Sequence, residues 1–258
     1  MKKSMSIFNL QQFSVDQSRS GMKLCSDSLL FGALIPIQSA TRILDIGTGT
    51  GILALMQAQK INALKAESAL PSAITAVEVT QAASEEAQLN FNNSPWPEQL
   101  KLVNQDIQSF ADHHNLEQRL GFDLIICNPP FFAEQSKTSI NNPLRNTARH
   151  TDLLSFDDLI MSIDKLLSAN GKVFLLLPSI ALSDVSSKAN AKGFNLIRQI
   201  DIAESEGHSS KVAVLEFERS QGECKSQCIV QRLNKFQQSN VHSDEVKKLL
   251  QPFLLRYR

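Results

Sequence analysis

From about residue 41 onward, short apolar runs alternate with longer amphipathic stretches. Residues 41–46 read as a buried strand through Ile43, Leu44 and Ile46, and the glycines after it turn the chain into a helix from Ile52 to about Lys60. Residues 73–79, 100–104, 122–127 and 173–177 predict further strands. Helical spacing fills 80–93, 156–169 and 182–192; Asn170-Gly171 is expected to stop the second of these and Gly193 the third. Residues 194–202 and 212–217 predict a last pair of strands, joined by turn residues at 206–210 and able to run antiparallel. Residues 62–72 read as a surface connection and 136–147 as a polar loop.

Strands that alternate with helices predict an α/β fold, with a mostly parallel seven-stranded sheet covered on both faces. Ligands of such a sheet bind beyond the carboxyl ends of its strands. The core is expected over 41–220, preceded by an extension over 1–40 with a strand pair and a helix. A basic tail is expected over 221–258, holding a strand near 228–233 and a short helix at 243–250.

Composition narrows the function classes. The 258 residues carry no net charge, which argues against indiscriminate coating of nucleic acid; neither DNA nor membrane is an expected partner. Charge is uneven, however. Residues 211–258 hold nine Lys or Arg against five acids, a net +4, and residues 1–30 hold four bases against two acids, a net +2. Cys25, Cys127, Cys224 and Cys228 form no CxxC pair and no histidines stand at ligand spacing, so no metal is expected. Without a leader or a membrane-length apolar run, a monomer in the reducing cytoplasm is the expectation.

Residues 45–51 read Asp-Ile-Gly-Thr-Gly-Thr-Gly at the end of the first core strand. Gly47, Gly49 and Gly51 let the backbone approach a ligand closely, and the next helix offers free N–H groups there. Asp45 would repel a pyrophosphate but suits a cationic ligand, such as the ammonium and sulfonium of S-adenosylmethionine. Gly49-x-Gly51-x-x-Ala54 also satisfies the dinucleotide fingerprint, so the turn alone leaves both cofactors open. Glu78, ending the second strand, suits ribose hydroxyls, which both cofactors carry. Asp106 can accept from an adenine amino group with Ile107 beside the ring, or cap a helix.

Asn128-Pro129-Pro130-Phe131 follows the apolar run 122–127 and separates the cofactors. A nucleobase amino nitrogen is a poor nucleophile because its lone pair is delocalised into the ring. Attack on a methyl sulfonium needs that nitrogen to move towards tetrahedral geometry. The Asn128 side-chain oxygen and the Pro129 carbonyl supply two acceptors that favour this shape, as preorganised electrostatics. The prolines stiffen the turn and remove competing N–H donors. Phe131 offers a face on which an extruded base stacks, worth about 1–3 kcal/mol per base. The plainer reading is a Pro-Pro turn with two packing phenylalanines.

The quartet resembles the [DNS]-P-P-[YFW] motif of the Rossmann-like, class I S-adenosylmethionine methyltransferases that act on amino nitrogens. Phe13-Ser14-Val15, residues 22–33 (Met-Lys-Leu-Cys-Ser-Asp-Ser-Leu-Leu-Phe-Gly-Ala), 43–51 and Ala148-Arg149-His150-Thr151 resemble bacterial tRNA1(Val) (adenine-37 N6)-methyltransferases. The resemblance runs from about Phe13 to the last helix. It implies N6 methylation of adenine 37 in the anticodon stem-loop of a tRNA. It also implies a cofactor held by Lys23, Asp27, Asp45, Gly47, Thr48, Gly49, Gly51, Glu78, Asp106, Ile107 and Asn128, with the 1–40 extension lying over it. Two departures stand out: Cys25-Ser26 replaces the usual Gly-Thr, and Phe131 replaces the usual Tyr, which keeps stacking but loses a phenolic hydrogen bond.

Lys137, Arg145, Arg149 and His150 flank the loop after the quartet and suit phosphates of a bent anticodon loop. The base must leave its stack to reach the donor. Guanine N2-methyltransferases of ribosomal RNA, which commonly carry Asn-Pro-Pro-Phe, are the alternative. Release-factor glutamine methyltransferases, a non-catalytic RNA-binding module and a nicotinamide oxidoreductase rank below.

Overall fold

The computed structural model describes residues 7–19, 23–37, 40–64, 73–117, 120–129, 154–220 and 227–257. Two short strands, β1 (Ile7–Asn9) and β2 (Ser14–Asp16), pair antiparallel, and α1 (Ser26–Leu34) follows. The core runs β3 (Arg42–Ile46), α2 (Ile52–Leu64), β4 (Ala73–Glu78), α3 (Gln81–Asn92), β5 (Leu100–Asn104), α4 (Ile107–Leu116) and β6 (Phe122–Cys127). It continues with α5 (Phe156–Leu166), β7 (Leu167–Pro178), α6 (Leu182–Ala191), β8 (Phe194–Ala203) and β9 (Val212–Arg219). The tail adds β10 (Ile229–Asn234) and α7 (Asp244–Leu250).

One sheet has the order β10-β8-β9-β7-β6-β3-β4-β5. Strands β5, β4, β3, β6 and β7 are parallel, and β9 runs antiparallel to both neighbours. The expected seven strands become eight because the tail strand β10 pairs parallel with β8. Alternate side chains feed two cores, as the two-residue period of a strand requires. Ile43, Ile126, Phe174 and Val214 pack on one face with Leu30, Phe31, Leu55 and the tail's Val246, Leu250 and Phe253. Leu44, Ile125, Leu175 and Leu215 pack on the other with Phe110, Leu159, Ile163 and Val185.

Helix α5 ends at Leu166, earlier than its apolar spacing suggests, and β7 begins at once. Asn170-Gly171 lies within that strand rather than stopping the helix. A Cβ on Gly171 would stand 2.7 Å from the Phe122 carbonyl oxygen, so the glycine permits the close approach of β7 to β6.

Helix α1 is fastened at both ends. Lys60 Nζ donates to the carbonyls of Gly32 at 3.0 Å, Ala33 at 2.9 Å and Ile35, satisfying groups that a helix C-terminus leaves open. Near its start, Asp27 pairs with Lys235 of the tail at 3.1 Å.

Candidate active site

Chain order reverses between β3 and β6. From β3 the chain builds outward through β4 and β5, then returns to place β6 on the other side of β3. The crevice at such a reversal is where parallel α/β sheets bind ligands. The last rung between the two strands pairs Ile46 with Cys127. The next residues are Gly47 on one strand and Asn128 on the other. The glycine turn and the start of the quartet therefore leave the sheet side by side.

Gly47, Gly49 and Gly51 all have left-handed backbones, with φ of 67°, 58° and 83°. The turn is fixed by the amides of Gly47 and Thr48, which donate to the Val77 carbonyl at 2.9 and 3.1 Å. Among the described residues, a Cβ built on Gly47 or Gly49 meets nothing within 4 Å, so their backbone borders open space there. On Gly51 it would stand 2.4 Å from Phe91 Cε1, so this glycine serves packing against α3.

Asp45 is fully buried under this turn. Its Oδ2 accepts from Thr48 Oγ1 at 2.6 Å, while Oδ1 finds no hydrogen-bond partner among the described residues. Burial pushes its pKa up to about 7, against the Thr48 hydroxyl and the nearby Ala54 amide, which favour the ionised form; the neighbouring Glu78 adds to the rise. Burial also raises the Cys127 thiol, with Asp45 adding to it, which keeps that sulfur neutral. An orphaned buried acceptor beside an open glycine cradle fits a cationic ligand that donates hydrogen bonds, as S-adenosylmethionine does.

Glu78 accepts from the Gly49 amide at 2.9 Å through Oε2 and from the Thr80 amide at 2.9 Å through Oε1. It braces the turn as well as ending β4. Asp106 caps α4, its Oδ1 accepting from the Ser109 amide at 2.8 Å. That bond, first among several, holds its carboxyl below the usual range. Ile107 is buried in the core beneath α4. Lys23 is exposed, and Asp27 is held by Lys235.

Asn128 is half-buried, and its Nδ2 donates to Ser28 Oγ of α1 at 3.0 Å. Pro129 is buried. Pro130, Phe131, Lys137, Arg145, Arg149 and His150 lie outside the described residues. The pattern alone did not expose Ser28, which shows only as one polar position on a largely apolar helix. Nor did it expose Lys235, which meets Asp27 from 208 residues away.

Among the described residues no cluster of His, Cys, Asp and Glu could hold a metal, and no helix is long and apolar enough to cross a membrane. The fold resembles a predicted O-methyltransferase from Agrobacterium tumefaciens, with a TM-score of 0.64 and 18% identity over 88% of this chain and 96% of that one. The model of the methyltransferase small domain matches residues 18–151. A tRNA1(Val) (adenine(37)-N6)-methyltransferase of Bacteroides fragilis is 32% identical over 98% of this chain and 99% of its own. Proteins of the same name from Tolumonas auensis and Shewanella pealeana are 35% and 40% identical, over 96% and 81% of this chain and 97% and 78% of theirs. On the match over residues 18–151 and on these relatives, the chain belongs to the methyltransferase small domain family and, within it, to the tRNA1(Val) (adenine(37)-N6)-methyltransferases.

Proposed function

We propose that the protein transfers a methyl group from S-adenosylmethionine to the N6 amino nitrogen of adenine 37 in tRNA1(Val), gripping the anticodon stem-loop. The observation that carries this reading is the shared exit of Gly47 and Asn128 from the Ile46–Cys127 rung, with the orphaned Asp45 acceptor beneath. It puts a cradle for a cationic ligand next to acceptors for an amine. The relatives' names favour adenine over the guanine N2 alternative.

In this reading Asp45 faces the ligand's ammonium, and the Gly47-Thr48-Gly49-Thr50-Gly51 backbone closes around it. Glu78 meets the ribose while bracing Gly49, Asp106 and Ile107 border the adenine, and Lys23 and Asp27 close the near side. When bound, S-adenosylmethionine supplies an electrophilic methyl carbon on sulfur. The Asn128 side-chain oxygen and the Pro129 carbonyl accept hydrogen bonds from the target amine and turn its lone pair outward. No strong base is required, because the methylated nitrogen loses its extra proton readily to water. Pro130 stiffens the turn and Phe131 stacks on the extruded base.

Arg145, Arg149, His150 and Lys137 hold phosphates of the anticodon loop, and the tail adds salt-sensitive affinity. The protein acts in the cytoplasm, which agrees with the free thiols of Cys25, Cys127 and Cys228. It acts as a monomer, which agrees with exposed apolar side chains scattered over separate elements. The test is incubation with unmodified tRNA1(Val) and labelled methyl donor, followed by nucleoside analysis. Labelled N6-methyladenosine at position 37 is the expected product. No label in tRNA1(Val), with labelled N2-methylguanosine formed when unmodified ribosomal RNA is offered in its place, would overturn the reading.

A further inference from the structure

We infer that Ser28 is a positioning residue for the reaction: its hydroxyl turns the Asn128 amide so that the oxygen, not the nitrogen, faces the target amine. The inference deepens the proposed role of Asn128 and rests on it. An asparagine amide has two ends that differ little in shape but oppositely in hydrogen bonding. Flipped, it would present N–H groups to an N–H donor, and the amine would lose an acceptor it needs. Something must fix the rotation.

Ser28 Oγ accepts from Asn128 Nδ2 at 3.0 Å, with the serine 7% exposed. It also shares a hydrogen bond with Cys25 Sγ at 3.2 Å. A hydroxyl has two lone pairs, so whichever of these two atoms donates, Oγ keeps one for Nδ2. Its helix is held rigidly: Lys60 ties the C-terminal carbonyls of α1, and Lys235 pairs with Asp27 one residue before Ser28. Leu29, Leu30 and Phe31 are buried beside it. Ser28 therefore reaches Asn128 from a fixed scaffold rather than from a loop.

The experiment is Ser28→Ala in the full chain, a substitution that a helix tolerates well. The expected result is a fall in kcat of about tenfold, the scale of one lost hydrogen bond. KM for tRNA and affinity for S-adenosylhomocysteine should both stay within about twofold, since Ser28 is assigned no part in holding either. In an Asn128→Ala background, adding Ser28→Ala should slow single-turnover methylation no further. Wild-type kcat in Ser28→Ala, an equal proportional loss in both backgrounds, or weakened S-adenosylhomocysteine binding would each overturn the inference while leaving the proposed role of Asn128 intact. Wild-type turnover in Asn128→Ala would overturn both.

Discussion

Glu78 Oε2 and the Gly49 amide are joined by a 2.9 Å hydrogen bond that ties the end of β4 to the glycine turn of β3. Both carboxylate oxygens of Glu78 accept backbone amides, the other from Thr80. Glu78→Gln would turn an NH2 towards one of these N–H donors. An unsatisfied donor in such a place costs about 1–3 kcal/mol. Affinity for S-adenosylhomocysteine should fall tenfold or more, on the order of that loss, as calorimetry can read. An unchanged affinity would show that Glu78 neither braces the turn nor meets the ligand.

Two glycines of the same turn should fail in different ways. Gly51→Ala sets a Cβ 2.4 Å from Phe91 Cε1 at a φ of 83°, so packing and backbone are both strained. The expected loss is roughly 2–4 kcal/mol of stability. Gly49→Ala meets no atom of the described residues within 4 Å and suffers only the left-handed backbone at 58°. It should cost about 1–2 kcal/mol yet abolish measurable S-adenosylhomocysteine binding, because its methyl enters the cradle. Denaturant melts paired with calorimetry distinguish the two outcomes.

Asp45 gives the site a pH dependence. Its pKa, raised by burial to about 7 from an ordinary 3.8, means that the free folded protein keeps a proton which the unfolded chain releases. This contribution to stability is complete below about pH 3.8 and is lost as pH rises through about 7. Ligand binding runs the other way, since an ammonium prefers the ionised carboxylate. S-adenosylhomocysteine should bind more tightly as pH rises from 5.5 towards 8, by up to about tenfold per unit below the pKa. Asp45→Asn should flatten that profile at a weakened affinity. A slope that survives in Asp45→Asn would assign the titration to another group.

Lys235 joins the tail to α1 through Asp27 at 3.1 Å and to Glu204 at 2.5 Å. Its side chain is 11% exposed, whereas Asp27 and Glu204 are 27% and 47% exposed, so water would partly solvate the acids left behind. Lys235→Met should therefore cost only about 1 kcal/mol of stability. Hydrogen exchange of the α1 amides should quicken more than that of β3. Uniform exchange across both elements would show that the pair does not fasten α1.

The parallel core was readable because its strands are short apolar runs bounded by turn residues. Residues 100–104 and 122–127 form strands over the expected range, and Asn128 follows the latter directly. The early start of β7 was hidden because Leu166 and Leu167 fit a helical face as well as a strand, and Gly171 looks locally like a stop. Helix α4 was announced mainly by its cap, Asp106: its buried face of Ile107, Phe110, Ala111 and His114 is short and ends in a histidine, a weak apolar signal along the chain. The glycine turn and quartet were visible because each has a dense local signature. Ser28 and Lys235 had none, since their partners lie 100 and 208 residues away and only the folded sheet brings them together.

The most direct measurement compares Asn128→Ala with the parent protein in two assays. Asn128, just after β6, is assigned to the target amine, while the groups proposed to grip S-adenosylhomocysteine lie on β3 and its glycine turn, at the ends of β4 and β5, and at Lys23 and Asp27. The account therefore predicts affinity for S-adenosylhomocysteine within about threefold of the parent, while N6-methyladenosine formation on tRNA1(Val) falls about a hundredfold or more. Methylation within about threefold of the parent would contradict it, because an amine-orienting acceptor cannot be removed at so small a loss.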